Sequence, residues 1–186
     1  MDPRRLVFVD ECSTSVRMAP LRARAPRGER AHGKAPRNWK NNVTLVSSIS
    51  LLGDGVEDGG MGASMSIEGS ADGEAFLLYV EYFLCPTLRS GQIVVMDNLS
   101  VHKMWRVREL IEGRGCELAF LPPYSPDFNP IEEAFSKVKG ILRKAKARSF
   151  ETLVEASGEA LRAVSRQDVR GFFAHCGYRT PPVHPL

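Results

Sequence analysis

The sequence predicts an α/β fold, a mixed five-stranded sheet with helices on its faces. Three observations predict it. Two short continuous apolar runs, Leu6 to Val9 and Ile93 to Met96, read as strands buried on both faces, and each stops at an aspartate. Three strand-like segments come early in the chain, which suggests an antiparallel meander. The later part alternates helix and strand, which adds parallel strands to the same sheet.

Leu6 to Val9 leads into Asp10, expected at the end of the first strand. Residues 11–42 are polar and basic and carry Pro20, Pro26, Gly28, Gly33 and Pro36, so a long irregular excursion is expected. Val43 to Leu52 is rich in β-branched residues and reads as the second strand. Gly53 to Gly62 reads as a turn; no Gly-Lys-Ser/Thr follows, so it is not a phosphate-binding loop. Ala63 to Ile67 is a weak third strand. Phe76, Leu77, Val80, Phe83 and Leu84 recur at helical spacing, predicting a helix over 72–85 that ends before Pro86.

Ile93 to Met96 is the fourth strand, ending at Asp97. Ser100 is placed to cap a helix whose inner face carries Met104, Val107 and Ile111, with Gly113 near its end. Glu117 to Leu121 is the fifth strand. The stiff segment Pro122 to Pro130 follows, and Pro130 suits a first helical position with Asn129 as cap. Ile131, Phe135, Val138 and Leu142 form one apolar face of that helix. Ser149 and Ser165 can cap further helices near 150–164 and 166–175. Residues 1–178 are expected to form one domain, followed by a Pro-rich tail at 179–186.

Charge is segregated along the chain. Residues 17–40 hold eight basic side chains against Glu29 alone, among them Arg22, Arg24, Arg27, Arg30, Lys34 and Lys40. Residues 137–148 hold six, among them Lys137, Lys139 and Arg143, with no acid. Such blocks suit a polyanion such as double-stranded DNA, although solvated surface segments read the same way. No apolar run approaches the ~20 residues of a membrane span, so no membrane partner is expected. The four cysteines form no CxxC pair, and with no export signal a cytoplasmic, reduced protein is expected. Trp39 and Trp105 are read as packing residues rather than base-stacking platforms.

Ligands of open α/β sheets bind beyond the carboxyl ends of strands. Asp10 and Asp97, on neighbouring parallel strands, would stand side by side there. Two close carboxylates repel unless a cation lies between them or one is protonated. Oxygen-only sites of this kind suit Mg²⁺. Glu132, in the first turn of a helix, would complete a two-metal site, with ions about 3.5 to 4 Å apart clamping the oxygens of phosphoryl transfer. Glu132 also fits a capping box and the helix dipole, roles compatible with ligation. Glu11 falls on the opposite face of the first strand if that strand continues. His102 lies just beyond Asp97, where it could touch the site, DNA or only solvent.

Three blocks carry a family resemblance: Phe8 to Glu11; Val94 to Lys103; and Leu121 to Glu132, which reads Leu-Pro-Pro-Tyr-Ser-Pro-Asp-Phe-Asn-Pro-Ile-Glu. Together they resemble the catalytic blocks of mariner-type DDE transposases, nearest to the branch of bacterial insertion sequences. That branch separates its second and third acids by the 34 residues that lie between Asp97 and Glu132 here. The resemblance implies a ribonuclease-H-like, integrase-like fold and catalysis by Asp10, Asp97 and Glu132 as ligands of two Mg²⁺ ions, with Mn²⁺ as substitute. It implies DNA cleavage at transposon ends and attack of the freed 3′-hydroxyl on target DNA, by a homodimer assembled on DNA. Localisation would be cytoplasmic and bacterial, at the nucleoid when bound. Family members carry N-terminal helix-turn-helix modules, whereas the first catalytic strand here starts at residue 6. The expectation is therefore a separate helix-turn-helix protein, a fragment or a decayed copy. The alternative to a transposase is an inactive relic that binds DNA or a partner; a junction resolvase of the same fold is disfavoured by the third block.

Overall fold

The structure is a computed structural model that describes residues 1–22, 24–32, 42–52, 59–123 and 125–179. Lys34, Lys40, Trp39 and the tail beyond residue 179 lie outside the described residues.

One five-stranded sheet organises the chain, in the order β3-β2-β1-β4-β5. β1 (Leu6–Thr14), β2 (Val43–Ser50) and β3 (Gly60–Glu68) form the antiparallel meander. β4 (Ile93–Met96) and β5 (Glu117–Phe120) then add in parallel on the other side of β1. The mixed sheet expected from the sequence is the one found.

The central strands are apolar on both faces because both faces are covered. Alternation in β1 sends Leu6, Phe8 and Cys12 into one core with α3 (Pro130–Ala145), α4 (Phe150–Arg162) and α5 (Arg166–His175). Val7 and Val9 enter a second core with α1 (Gly73–Tyr79) and α2 (Trp105–Glu112). Ser149 and Ser165 cap α4 and α5 through complete capping boxes, as their positions predict.

Several expected boundaries move. β1 does not end at Asp10 but runs on to Thr14. Its antiparallel ladder with β2 continues to the pair Thr14–Val43, long after its parallel pairing with β4 stops at Phe8–Val95. β3 begins at Gly60, inside the stretch read as a turn. The glycines there serve close packing: a Cβ on Gly59 would fall 2.4 Å from the Ser50 carbonyl oxygen, and one on Gly62 2.5 Å from Ser48 Oγ. The helix expected over 72–85 is α-helical only to Tyr79 and widens into a π turn at Val80–Leu84, closed by Cys85 N–H donating to the Val80 carbonyl at 2.9 Å. Ser100 does not cap α2. It opens a 3₁₀ turn, Ser100–Lys103, and the extended backbone of Met104 separates that turn from α2.

All four cysteines are buried and unpaired. No helix among the described residues is long and apolar enough to cross a membrane.

Candidate active site

Asp10 and Asp97 reach the same edge of the sheet by different routes. β4 ends at Met96, so Asp97 is the first residue beyond it. β1 outlasts β4, so Asp10 lies past the last β1–β4 pair while still held in register opposite Ser47 of β2. Glu132 comes from the first turn of α3, which packs on the Phe8 face of β1. The three acids line one cleft of about 450 Å³, walled by Leu121, Pro122 and Pro126 of the proline-rich loop.

Asp10 is 7% exposed. Its Oδ1 accepts from the Glu11 N–H at 2.7 Å and its Oδ2 from the Asn129 side-chain amide at 2.8 Å. Burial pushes its pKa up to about 7, against the Glu11 N–H, which lowers it; Glu132, Glu11 and Asp97 raise it further by like charge.

Asn129 was expected to cap α3. It occupies the cap position, but its side chain makes no capping bond, because its amide donates to Asp10 instead. The residue is 4% exposed, and its Oδ1 has no partner. A residue type chosen by sequence for a helix end is thus turned to the carboxylate of β1.

His102 is fully buried, so the surface and DNA-contact readings fail for it. Its ring packs 4.4 Å from that of Phe76. Nε2 lies 3.0 Å from Glu11 Oε1, and Nδ1 lies 2.6 Å from Asp97 Oδ1, an ion-pair distance whose angle departs from a linear hydrogen bond. Burial alone would lower the imidazole pKa; the hydrogen bond and charge of Glu11, then those of Asp97, outweigh it and the net shift is upward. Glu11 therefore faces away from Asp10, as strand alternation predicts, and meets His102 on the far side of the sheet. Neither contact was foreseen from the sequence.

The neighbouring acid, Glu133, is placed differently from Glu132. It pairs with the exposed ring of His175 on α5. This separates the two glutamates that the sequence sets side by side.

The basic residues divide as well. Arg22, Arg24, Arg27 and Arg30 are exposed. Lys137 is bound to Asp168 of α5, whose carboxyl is held down to about 2 by the hydrogen bond from Lys137, then by those from Ser165. Lys139 lies beside the Cys12 thiol, on the Asp10 face of β1. Arg143 is half-buried on α3. Arg148 donates to the Val16 carbonyl at 2.6 Å and the Met18 carbonyl at 3.1 Å, so part of the second basic block ties the chain after β1 to the end of α3. Trp105 is not a packing residue: it is 74% exposed.

An all-oxygen donor set on a cleft, with a carboxyl raised by burial and then by its acidic neighbours, has the chemistry of a hard divalent cation site. The arrangement is not a closed cage. Among the described residues no group of three His, Cys, Asp or Glu side chains is gathered to hold a metal ion. The expected convergence is met as far as the shared cleft and no further.

Comparison with known proteins agrees with this layout. The sequence model of the family described as DDE superfamily endonuclease matches residues 5–154. Among curated proteins no match is found. Among solved structures, the chain is similar to one in a pre-cleavage Mos1 transpososome, at 18% identity and a TM-score of 0.71, covering 94% of this chain and 54% of that one. It is similar to the catalytic domain of Mos1 mariner transposase, at 15% identity and a TM-score of 0.59, covering 94% and 78%. A chain of the simian T-cell lymphotropic virus intasome in complex with PP2A regulatory subunit B56 gamma follows at 10% identity and a TM-score of 0.59, covering 100% and 58%. This chain spans about half the length of the transpososome chain it matches. Identities this low show the fold, which is ribonuclease-H-like. The family match spans most of the sequence, from β1 into α4, and includes all three candidate acids; the chain belongs to the DDE superfamily endonucleases.

Proposed function

We propose that residues 1–178 are the catalytic domain of a mariner-type DNA transposase of the bacterial insertion-sequence branch, working in the cytoplasm on nucleoid DNA. One observation carries the reading: Asp10, Asp97 and Glu132, drawn from two adjacent strands and one helix, line a single cleft at the carboxyl edge of the sheet. Similarity to paired-end and strand-transfer complexes of Mos1 supports it, as does the use of Mn and Mg in two of those paired-end structures.

In this reading Asp10, Asp97 and Glu132 hold two Mg²⁺ ions, with Mn²⁺ as substitute. Ions held there would supply Lewis-acid activation of an attacking oxygen and charge stabilisation of a leaving one. The protein contributes placement. The Asn129 amide and the Glu11 N–H each hold one oxygen of Asp10. Glu132, exposed on the first turn of α3, lines the same cleft and brings the third carboxylate. The substrates are transposon ends and target DNA, handled by a homodimer, with a helix-turn-helix partner reading the ends.

The test is nicking of supercoiled plasmid by the purified chain. Nicking is expected with Mn²⁺ and none with a chelator in its place. A folded protein that never nicks, with any divalent ion, would replace this reading by an inactive relic.

DNA is expected to bind weakly and without sequence preference. Arg22, Arg24 and Arg27 are exposed and lie in one basic block. Each phosphate contact contributes about −0.9 to the slope of log affinity against log salt, so neutralising the three together flattens that slope by up to about 2.7 and weakens all duplexes alike. A salt titration against a random duplex and an inverted-repeat duplex reads this. Tight binding that favours the repeat and ignores salt would locate recognition in this domain instead.

A further inference from the structure

A buried imidazole is costly unless both its nitrogens are satisfied. His102 has no exposed surface and no place in the cleft, yet both its nitrogens face acids. The two acids differ in kind. Asp97 stands at the cleft. Glu11 follows Asp10 on β1 but projects to the opposite face, where its side chain is only 15% exposed. The chain Glu11–His102–Asp97 therefore runs from behind the sheet to its catalytic edge.

We propose that His102 is a positioning residue that fixes the Asp97 carboxylate from behind the sheet, with Glu11 setting the orientation of the ring. This inference rests on the assignment of Asp97 as a metal ligand. The geometry supports it in three ways. First, Asp97 is 36% exposed at the end of a strand, where its side chain would otherwise turn freely. Second, both of its contacts fall on one oxygen: the Leu99 N–H donates to Oδ1 at 3.0 Å, and His102 Nδ1 approaches the same atom at 2.6 Å. Oδ1 thus takes the Leu99 hydrogen bond and the close, non-linear approach of Nδ1, while Oδ2 takes part in neither contact and stays available to a ligand. Third, the ring itself cannot swing, being held by Glu11 at Nε2 and packed on Phe76. Partners of this kind orient metal ligands, and their loss costs about 10- to 100-fold in metal affinity.

Two substitutions separate this role from packing. Asparagine places an amide near the position of Nδ1, and glutamine places one near that of Nε2. His102→Asn is expected to keep the Asp97 contact and lose the Glu11 contact; His102→Gln does the reverse. Mn²⁺ affinity of the full chain, read from the free-ion signal in electron paramagnetic resonance, is expected to stay within about threefold in His102→Asn and to fall by about 10- to 100-fold in His102→Gln. Melting temperatures of the two variants are expected to be alike. Equal Mn²⁺ affinity in all three proteins overturns the proposal, and so does the opposite ranking of the two variants. A wild-type chain that binds no Mn²⁺ overturns the metal assignment and this inference with it, so the two failures are told apart by the wild-type measurement. Should either variant not fold, wild-type protein labelled with ¹⁵N-histidine serves. The His102 Nδ1 resonance is expected to move along the Mg²⁺ binding isotherm, and more than Nε2. An Nδ1 resonance that stays still at saturating Mg²⁺ overturns the proposal.

Discussion

Asp97→Asn is expected to abolish plasmid nicking while leaving the fold intact. The substitution keeps size and shape at a residue that is 36% exposed and lies outside every strand. The amide oxygen still accepts from the Leu99 N–H, so the turn after β4 persists. What disappears is the negative charge, and with it the attraction that holds a divalent cation at the end of the strand. Outer partners of a metal ligand already cost about 10- to 100-fold when removed, so losing the ligand's charge is expected to cost at least about 100-fold in nicking rate. Circular dichroism and the melting temperature check the fold. Glu133→Gln is the matched control: it also removes one carboxylate near the cleft, but this one pairs with His175. Its nicking is expected to stay close to wild type. Wild-type-level nicking by folded Asp97→Asn would remove Asp97 from the chemistry. Loss in Glu133→Gln equal to that in Asp97→Asn would mean that the wrong glutamate has been assigned.

The parts of this site legible in the sequence are those written in local pattern. An apolar run that stops at an acid places that acid near the carboxyl edge of a buried strand, and this located Asp97. Pro130 at a helix start fixed the turn of α3 that carries Glu132. Asp10 comes to that edge for a reason the local pattern does not carry: its strand does not end there, and only the shorter β4 makes that position an edge. The polar contacts behind the acids were not legible. Asn129 meets Asp10 across 119 residues of sequence, and His102 meets Glu11 across 91. No local rule distinguishes a capping asparagine from one turned to a carboxylate. Alternation in β1 put Glu11 on a face otherwise filled by Val7 and Val9, where a buried acid demands a partner. His102, five residues beyond Asp97 at the end of the adjacent strand, supplies that partner. The π turn after α1 and the exposed position of Trp105 depend on tertiary packing and leave no mark in composition.

Phe173→Ala is expected to produce the largest loss of stability among single substitutions in the helical layer behind Asp10. Phe173 is fully buried on α5 and meets Phe8 edge-on, with ring centroids 5.4 Å apart at 83°. Phe8 precedes Asp10 by two residues on the same face of β1, so this contact props the strand directly beneath the site. Tyr178 completes the cluster: its ring lies 5.1 Å from Phe8, and its hydroxyl donates to the Phe128 carbonyl at 2.9 Å. Phe128 immediately precedes Asn129, so α5 and the turn that follows it support both the strand that carries Asp10 and the loop that clamps it. Truncating a buried phenylalanine costs about 3 to 5 kcal/mol, through lost transfer energy and the cavity left behind. For a chain of this length each kcal/mol lowers the melting temperature by about 2 to 4 °C, giving a drop of roughly 6 to 20 °C. Tyr82→Ala, at a position 64% exposed, is expected to change stability by less than about 0.5 kcal/mol. Because the prop bears on Asp10 itself, Phe173→Ala is also expected to weaken Mn²⁺ binding at temperatures where the variant is fully folded. A melting temperature within a degree or two of wild type would show that α5 does not support the sheet. A destabilised variant with unchanged Mn²⁺ affinity would show that α5 supports the strand but not the position of Asp10.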